Sequence, residues 1–175
     1  MITIIDYGLG NLASVANALG KLEIPYEVSG DIEVLKNAKA LILPGVGAAG
    51  QGMKNLKARG IDKVVIEQAN KGIPILGICL GMQLLFSSSE ERDVSCLEII
   101  EGKVKKFNAS LKIPQIGWNR VEVKSDLKLL KGIKNNSYFY FVNSYYCDLE
   151  EKKVSQGLTD YGIKFCSVLE QNNIY

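Results

Sequence analysis

The stretch GICLGMQLLF, residues 77–86, sets Cys79 between Gly77 and Gly81 where an apolar strand turns into a helix. A strand–Gly–x–Cys–x–Gly–helix turn is how hydrolases expose a nucleophile, because small flanking residues relieve crowding in a strained bend. The helix that follows offers backbone N–H groups and the positive end of its dipole, which lower a thiol's pKa. The competing reading is a buried structural cysteine at a strand end. A thiol nucleophile also needs a proton acceptor, and the sequence contains no histidine.

Two glycine-rich turns accompany the cysteine. LILPGVGAAG, residues 41–50, ends a predicted parallel strand, where ligands of parallel sheets bind. Its glycines leave backbone N–H groups free to approach an oxyanion, although a plain flexible turn has the same composition. DYGLGNLA, residues 6–13, loosely copies a dinucleotide fingerprint as Gly8-x-Gly10-x-x-Ala13, with Glu27 in place of the ribose-binding acid. A tight strand-to-helix turn explains that spacing equally well. Lys103, Lys105, Lys106 and Lys112 form a modest basic cluster that reads as a solvated face. Trp118, in IGWNRV, reads as core or as an interface anchor.

These residues must be positioned by a chain of 175 residues, 47% hydrophobic and 23% charged, the balance of a soluble globular domain. Its net charge of +2 gives no strong attraction to nucleic acid or membrane. The four cysteines, 79, 96, 147 and 166, form no CxxC pair and no clustered zinc set, so no metal site is expected. The N-terminus lacks a secretory pattern, and no apolar run approaches the roughly 20 residues needed to span a bilayer. A cytoplasmic protein with reduced thiols is the expectation.

The first half alternates strand and helix. Strands are predicted at residues 2–6, 26–28, 40–43 and 74–78. Helices are predicted from near Asn11, over 32–36, over 51–70 with a break at Gly60, and after Cys79. Leu12, Val15, Ala16 and Leu19 line one helix face, and Asn11 suits its N-cap. This spacing predicts a parallel sheet covered on both faces. From Leu97 onward the segments are strand-like, and SYFYFVNSYY (137–146) is the most β-prone run. No Pro/Ser-rich linker separates the halves, so residues 1–175 read as one domain. Residues 165–169 and 173–175 read as two strands joined by a turn, and the sequence stops within the second, which predicts further residues beyond Tyr175.

In order and spacing, IDYGLGNLASVANAL, LILPGVGA, GICLGMQLLF, IGWNRV and YFVNSYY resemble the glutaminase subunits of imidazole glycerol phosphate synthase, class I glutamine amidotransferases of histidine biosynthesis. The resemblance runs from residue 4 to the last residue. It implies a three-layer α/β/α fold with a mostly parallel central sheet and added antiparallel strands in the second half. It implies that Cys79 attacks the carboxamide of L-glutamine, with Gly45, Val46, Gly47 and Leu80 stabilising the oxyanion. Gln83 and the backbone of Ser144 and Tyr145 would hold the amino-acid end. Asn11, Trp118 and Asn143 would face a (β/α)8-barrel synthase/cyclase subunit in a heterodimer, with no cofactor, and ammonia would pass to that partner.

Three departures accompany the resemblance. Gln115 and Asn143 stand where the family commonly has histidine. The family's catalytic histidine and its orienting glutamate lie in a Gln-Phe-His-Pro-Glu segment that would follow Tyr175. These residues are therefore expected to be inactive on their own, either as a C-terminally truncated glutaminase or as an inactive short relative. A paralogous glutaminase feeding a sugar-aminating synthase is a second reading, and a flavodoxin-like nucleotide-binding module a third.

Overall fold

Ile2–Ile5 (β1) is β-branched at every position, and this stiff, apolar segment forms an inner strand of a parallel sheet. The computed structural model describes residues 1–108, 110–123, 127–149 and 154–175. After β1 the chain runs through helix α1 (Leu12–Lys21), β2 (Tyr26–Ser29), α2 (Ile32–Lys36), β3 (Ala40–Leu43), α3 (Ala49–Ala58), α4 (Ile61–Asn70), β4 (Ile75–Gly77) and α5 (Leu80–Leu84). The strand order is β2-β1-β3-β4, all parallel. Asn11 caps α1 by accepting the Ser14 N–H at 3.1 Å, as its type and position predict. The break between α3 and α4 falls at Gly60, whose φ of 68° lies in the left-handed region that favours glycine.

Helices cover both faces of this sheet. Leu12, Val15, Ala16 and Leu19 of α1 pack over Ile4 and Ile42. On the other face Ile5, Leu41 and Leu43 meet Met53, Leu56, Ile61 and Val65 of α3 and α4. Among the described residues, no helix is long and apolar enough to cross a membrane.

The second half builds a sheet of its own. Its strands are β5 (Phe86–Ser89), β6 (Val94–Ser95), β7 (Ile100–Lys106), β8 (Gln115–Val123), β9 (Ser137–Asn143), β10 (Tyr145–Leu149), β11 (Ser155–Asp160) and β12 (Lys164–Glu170). They lie in the order β6-β5-β7-β10-β12-β11-β8-β9, with β5 and β7 parallel and the other pairs antiparallel. The β-prone run 137–146 divides at Ser144, so β9 lies on the edge of this sheet and β10 in its middle. β5, rich in serine, is set by its pairing with β7 rather than by local preference.

After β12 a turn returns the chain to the first sheet. The Ile75 N–H donates to Asn173 and the Gly77 N–H to Tyr175, at 2.9 and 2.8 Å, so residues 173–175 run parallel to β4. They point toward the end of β4 that carries Cys79.

Candidate active site

Cys79 has φ 55° and ψ −114°, a strained conformation for a residue with a side chain. The bend that this creates holds the cysteine exposed between β4 and α5. Its glycine neighbours are required by contact. A side-chain carbon on Gly81 would overlap the Leu43 carbonyl oxygen, and one on Gly77 would stand 2.6 Å from Met82 Cα. The bend is thus seated directly on the end of β3, where the Ile78 N–H donates to Leu43 at 3.0 Å.

The loop leaving β3, Pro44-Gly45-Val46-Gly47, lies against the same bend. A Cβ on Gly45 would come within 2.8 Å of Gly81 N, Leu80 Cβ and the Tyr7 hydroxyl alike. Among the described residues, the N–H groups of Gly45, Val46 and Gly47 have no hydrogen-bond partner. Leu80 presents its own N–H to the Cys79 sulfur. Unpartnered donors beside a nucleophile are the geometry that stabilises a developing oxyanion.

The thiol departs from the sequence expectation. Burial of its surroundings pushes the Cys79 pKa up, and the Leu80 N–H offsets only part of that rise. α5 is only five residues long, too short for a strong dipole. The packing around the bend therefore favours the neutral form of the Cys79 thiol.

A cavity of 340 Å³ separates the bend from the second sheet. Cys79 and Gln83 stand on one wall, and Asn143, Tyr145, Cys147 and Cys166 on the other. Gln83 is thereby placed with the nucleophile. Phe107 donates its N–H to the Ser144 carbonyl at 3.1 Å, which holds the start of β10 beside the cavity. Asn143 turns inward and donates to the Tyr145 carbonyl at 3.0 Å. Opposite it in register is Gln115, 3% exposed. Among the described residues, the Gln115 Oε1 and Asn143 Oδ1 oxygens lack hydrogen-bond partners.

Trp118, 69% exposed, is not core. With Ile116, Tyr138, Tyr140 and Val142 it forms an apolar outer face on the β8–β9 ribbon, where Trp118 and Tyr140 meet edge to face at 5.6 Å. Tyr140 and Val142 also line the cavity, so cavity and outer face adjoin. Asn11 is exposed at the start of α1, away from this ribbon in sequence and sheet.

Two residues escaped the sequence reading. Tyr7 is fully buried and donates its hydroxyl to the Pro44 carbonyl at 2.8 Å. Glu91 accepts the Ala49 N–H at 2.7 Å, which fixes the far end of the same loop. The signal for Tyr7 was a tyrosine directly after a core strand, since a buried tyrosine hydroxyl needs a partner. Glu91 lies in a polar turn, and nothing local marks it.

The sequence matches the family described as "Glutamine amidotransferase class-I" over residues 3–175. The chain belongs to the class I glutamine amidotransferases. It is 45% identical to "Imidazole glycerol phosphate synthase subunit HisH" of Moorella thermoacetica, over 99% of this chain and 83% of that protein. It is 46% identical to the protein "Imidazole glycerol phosphate synthase subunit HisH 1" of Methanococcus maripaludis, over 100% of this chain and 88% of that one. Among solved structures, one described as a "glutamine amidotransferase" superposes with a TM-score of 0.78 at 20% identity, covering 99% of this chain and 86% of its own. A glutamine amidotransferase from Thermotoga maritima gives 0.69 at 17% identity, covering 99% and 71%. This amidotransferase fold also accounts for the Gly8-x-Gly10 spacing. A Cβ on Gly10 would stand 3.4 Å from Pro44 and Gly45, and the Glu27 carboxylate is already taken by Thr3 at 3.0 Å.

Proposed function

We propose that this chain is the glutaminase subunit of an imidazole glycerol phosphate synthase, one amidotransferase domain that releases ammonia from L-glutamine for histidine biosynthesis. The observation that carries the reading is the Cys79 bend facing the unpartnered N–H groups of Gly45–Gly47. The HisH name of its relatives sets the pathway and favours this over a sugar-aminating role.

The Cys79 sulfur attacks the glutamine carboxamide carbon, and the carbonyl oxygen becomes an oxyanion held by the N–H groups of Leu80 and the loop. Collapse breaks the C–N bond and releases ammonia, which carries away the thiol proton delivered by a base. Water then hydrolyses the glutamyl thioester, giving glutamate and the free thiol. Gln83 and the backbone at Ser144 and Tyr145 hold the substrate's amino-acid end. No cofactor enters.

The proton acceptor is not an imidazole of these 175 residues, which contain none. Because residues 173–175 run parallel to β4 toward Cys79, a base supplied just past Tyr175 would arrive beside the sulfur. Residues 1–175 then supply the nucleophile and the oxyanion donors, and turnover by them alone is expected to be negligible.

The apolar face of Trp118 and its neighbours receives the (β/α)8-barrel synthase subunit in a cytoplasmic heterodimer; Asn143, turned inward, acts on that interface only through the ribbon it holds, and Asn11 lies apart from it. The test is labelling with a glutamine-like diazoketone followed by mass spectrometry. Modification of Cys79 ahead of Cys96, Cys147 and Cys166, protected by glutamine, is expected. Equal labelling of all four, or no protection, would refute the assignment.

A further inference from the structure

We infer that Tyr7 is a positioning residue for the oxyanion site: by holding the Pro44 carbonyl, its hydroxyl fixes the direction of the Gly45 N–H beside Cys79. The inference rests on the glutamine-hydrolysis reading above. A peptide group is planar and trans, so its C=O and N–H point in opposite directions. The bond from Tyr7 to Pro44, 2.8 Å and buried, therefore sets where the next N–H, that of Gly45, must point. A glycine at 45 has little steric preference of its own, so something outside the loop has to choose the orientation.

Tyr7 is well placed to do so. It is fully buried at the end of β1, and its hydroxyl would stand 2.8 Å from any Cβ added at Gly45. Burial and the nearby Cys79 sulfur both push the Tyr7 pKa up, so the hydroxyl stays protonated and remains a donor through the reaction. Val46 and Gly47 are exposed, Ala48 is half-buried, and Glu91 holds the loop again at Ala49. The clamp at Pro44 is thus the one nearest the bend.

The test compares Tyr7→Phe and Tyr7→Leu with the wild type, alone and with the synthase subunit, thermal melts confirming that each variant is folded. L-Glutamate γ-semialdehyde adds reversibly to Cys79: the S–C bond forms, the thiol proton goes to the former carbonyl oxygen, and the adduct needs the oxyanion donors. Its cyclisation in water lowers the free aldehyde equally for every variant. Iodoacetamide alkylates the same sulfur at a saturated carbon, releasing iodide, with no oxyanion. Tyr7→Phe is expected to weaken the aldehyde adduct roughly tenfold, the scale of one lost hydrogen bond, while iodoacetamide rates from pH 7 to 9 stay within about twofold. Tyr7→Leu should weaken it at least as much. An aldehyde affinity unchanged in Tyr7→Phe but lost in Tyr7→Leu would assign the ring to packing and overturn the inference. Equal slowing of both reagents in Tyr7→Phe would place the effect on the thiol and overturn it too. No wild-type adduct, with or without the synthase subunit, would remove the glutamine reading and the inference with it.

Discussion

At the Cys79 bend, backbone packs on backbone, and glycines at 45, 77 and 81 stand where any side chain would collide. On the β8–β9 ribbon the reverse holds, with large apolar side chains at 116, 118, 138, 140 and 142 facing solvent. The packing of the first region is closed, since each tight approach is met within the chain. The second is an unfinished surface whose area gains nothing until another molecule covers it. The 340 Å³ cavity lies between them and touches both.

The largest expected effect concerns the proton acceptor for Cys79. Extending the chain past Tyr175 with a His-Pro-Glu segment should raise glutaminase turnover in the presence of the synthase subunit by at least about 10²–10⁴-fold, the usual share of a positioned proton acceptor. The extended chain with Cys79→Ala should return to background. Equal turnover by the 175-residue and extended chains would mean that a base lies within these residues.

Next is Gly81→Ala. The added methyl would overlap the Leu43 carbonyl oxygen, a backbone atom that cannot swing aside. A loss of about 3 kcal/mol or more in urea unfolding is expected, the upper range for overpacking. Gly47→Ala is the control, because open space surrounds that position, although its φ of 104° still strains the backbone. A milder loss at 47 than at 81 would sharpen the contrast, and the reverse order would break it.

On the ribbon, Trp118→Ala should leave stability within about 1 kcal/mol, since the ring is mostly in water. Affinity for the synthase subunit should fall about 30-fold, the size of an aromatic hot spot. Calorimetry of unfolding and of binding would separate the two quantities. Destabilisation without lost affinity would make the ribbon part of this chain's own core.

Much of this contrast was legible in the sequence because it rests on local pattern. The spacing of Leu12, Val15, Ala16 and Leu19 gave α1, and short apolar runs gave β1 and β3. Gly77 and Gly81 around Cys79 marked the bend, since only small residues tolerate it. What escaped depends on contacts distant in sequence. Tyr7 meets Pro44 and Glu91 meets Ala49 only after β1, β3 and the turn following β5 are folded together. The raised thiol pKa escaped for the same reason: burial is a property of the packed cavity, whereas the helix start that lowers it is local. Strand order in the second sheet was also hidden, because β-prone runs at 115–123 and 137–146 do not state their partners.

The smallest effect tests the wall opposite Cys79. Cys147 and Cys166 face each other across β10 and β12, and burial raises both thiols, Cys166 to about 12. In the unfolded chain they ionise near pH ~8.5. A group whose folded pKa is raised stabilises the fold fully below the unfolded value and loses that contribution as pH rises toward the folded one. For Cys166 the window is therefore pH ~8.5, its unfolded value, to about 12. Within it, stability should fall by up to about 1.4 kcal/mol per pH unit for each buried thiol. Urea unfolding from pH 8 to 10.5 measures the slope, and Cys166→Ala should flatten it by one thiol's share, because alanine has no proton to lose. Groups apart from the pair, Tyr7 among them, contribute equally to both proteins and cancel in the difference, while Cys147, which Cys166 helps to raise, adds to the flattening. Cys79 makes the internal comparison: its sulfur is reachable from solvent, so iodoacetamide should modify it in the folded protein while Cys147 and Cys166 react only after unfolding. Identical slopes for wild type and Cys166→Ala would show that the thiols across the cavity are solvated, and the dry wall facing the nucleophile would have to be given up.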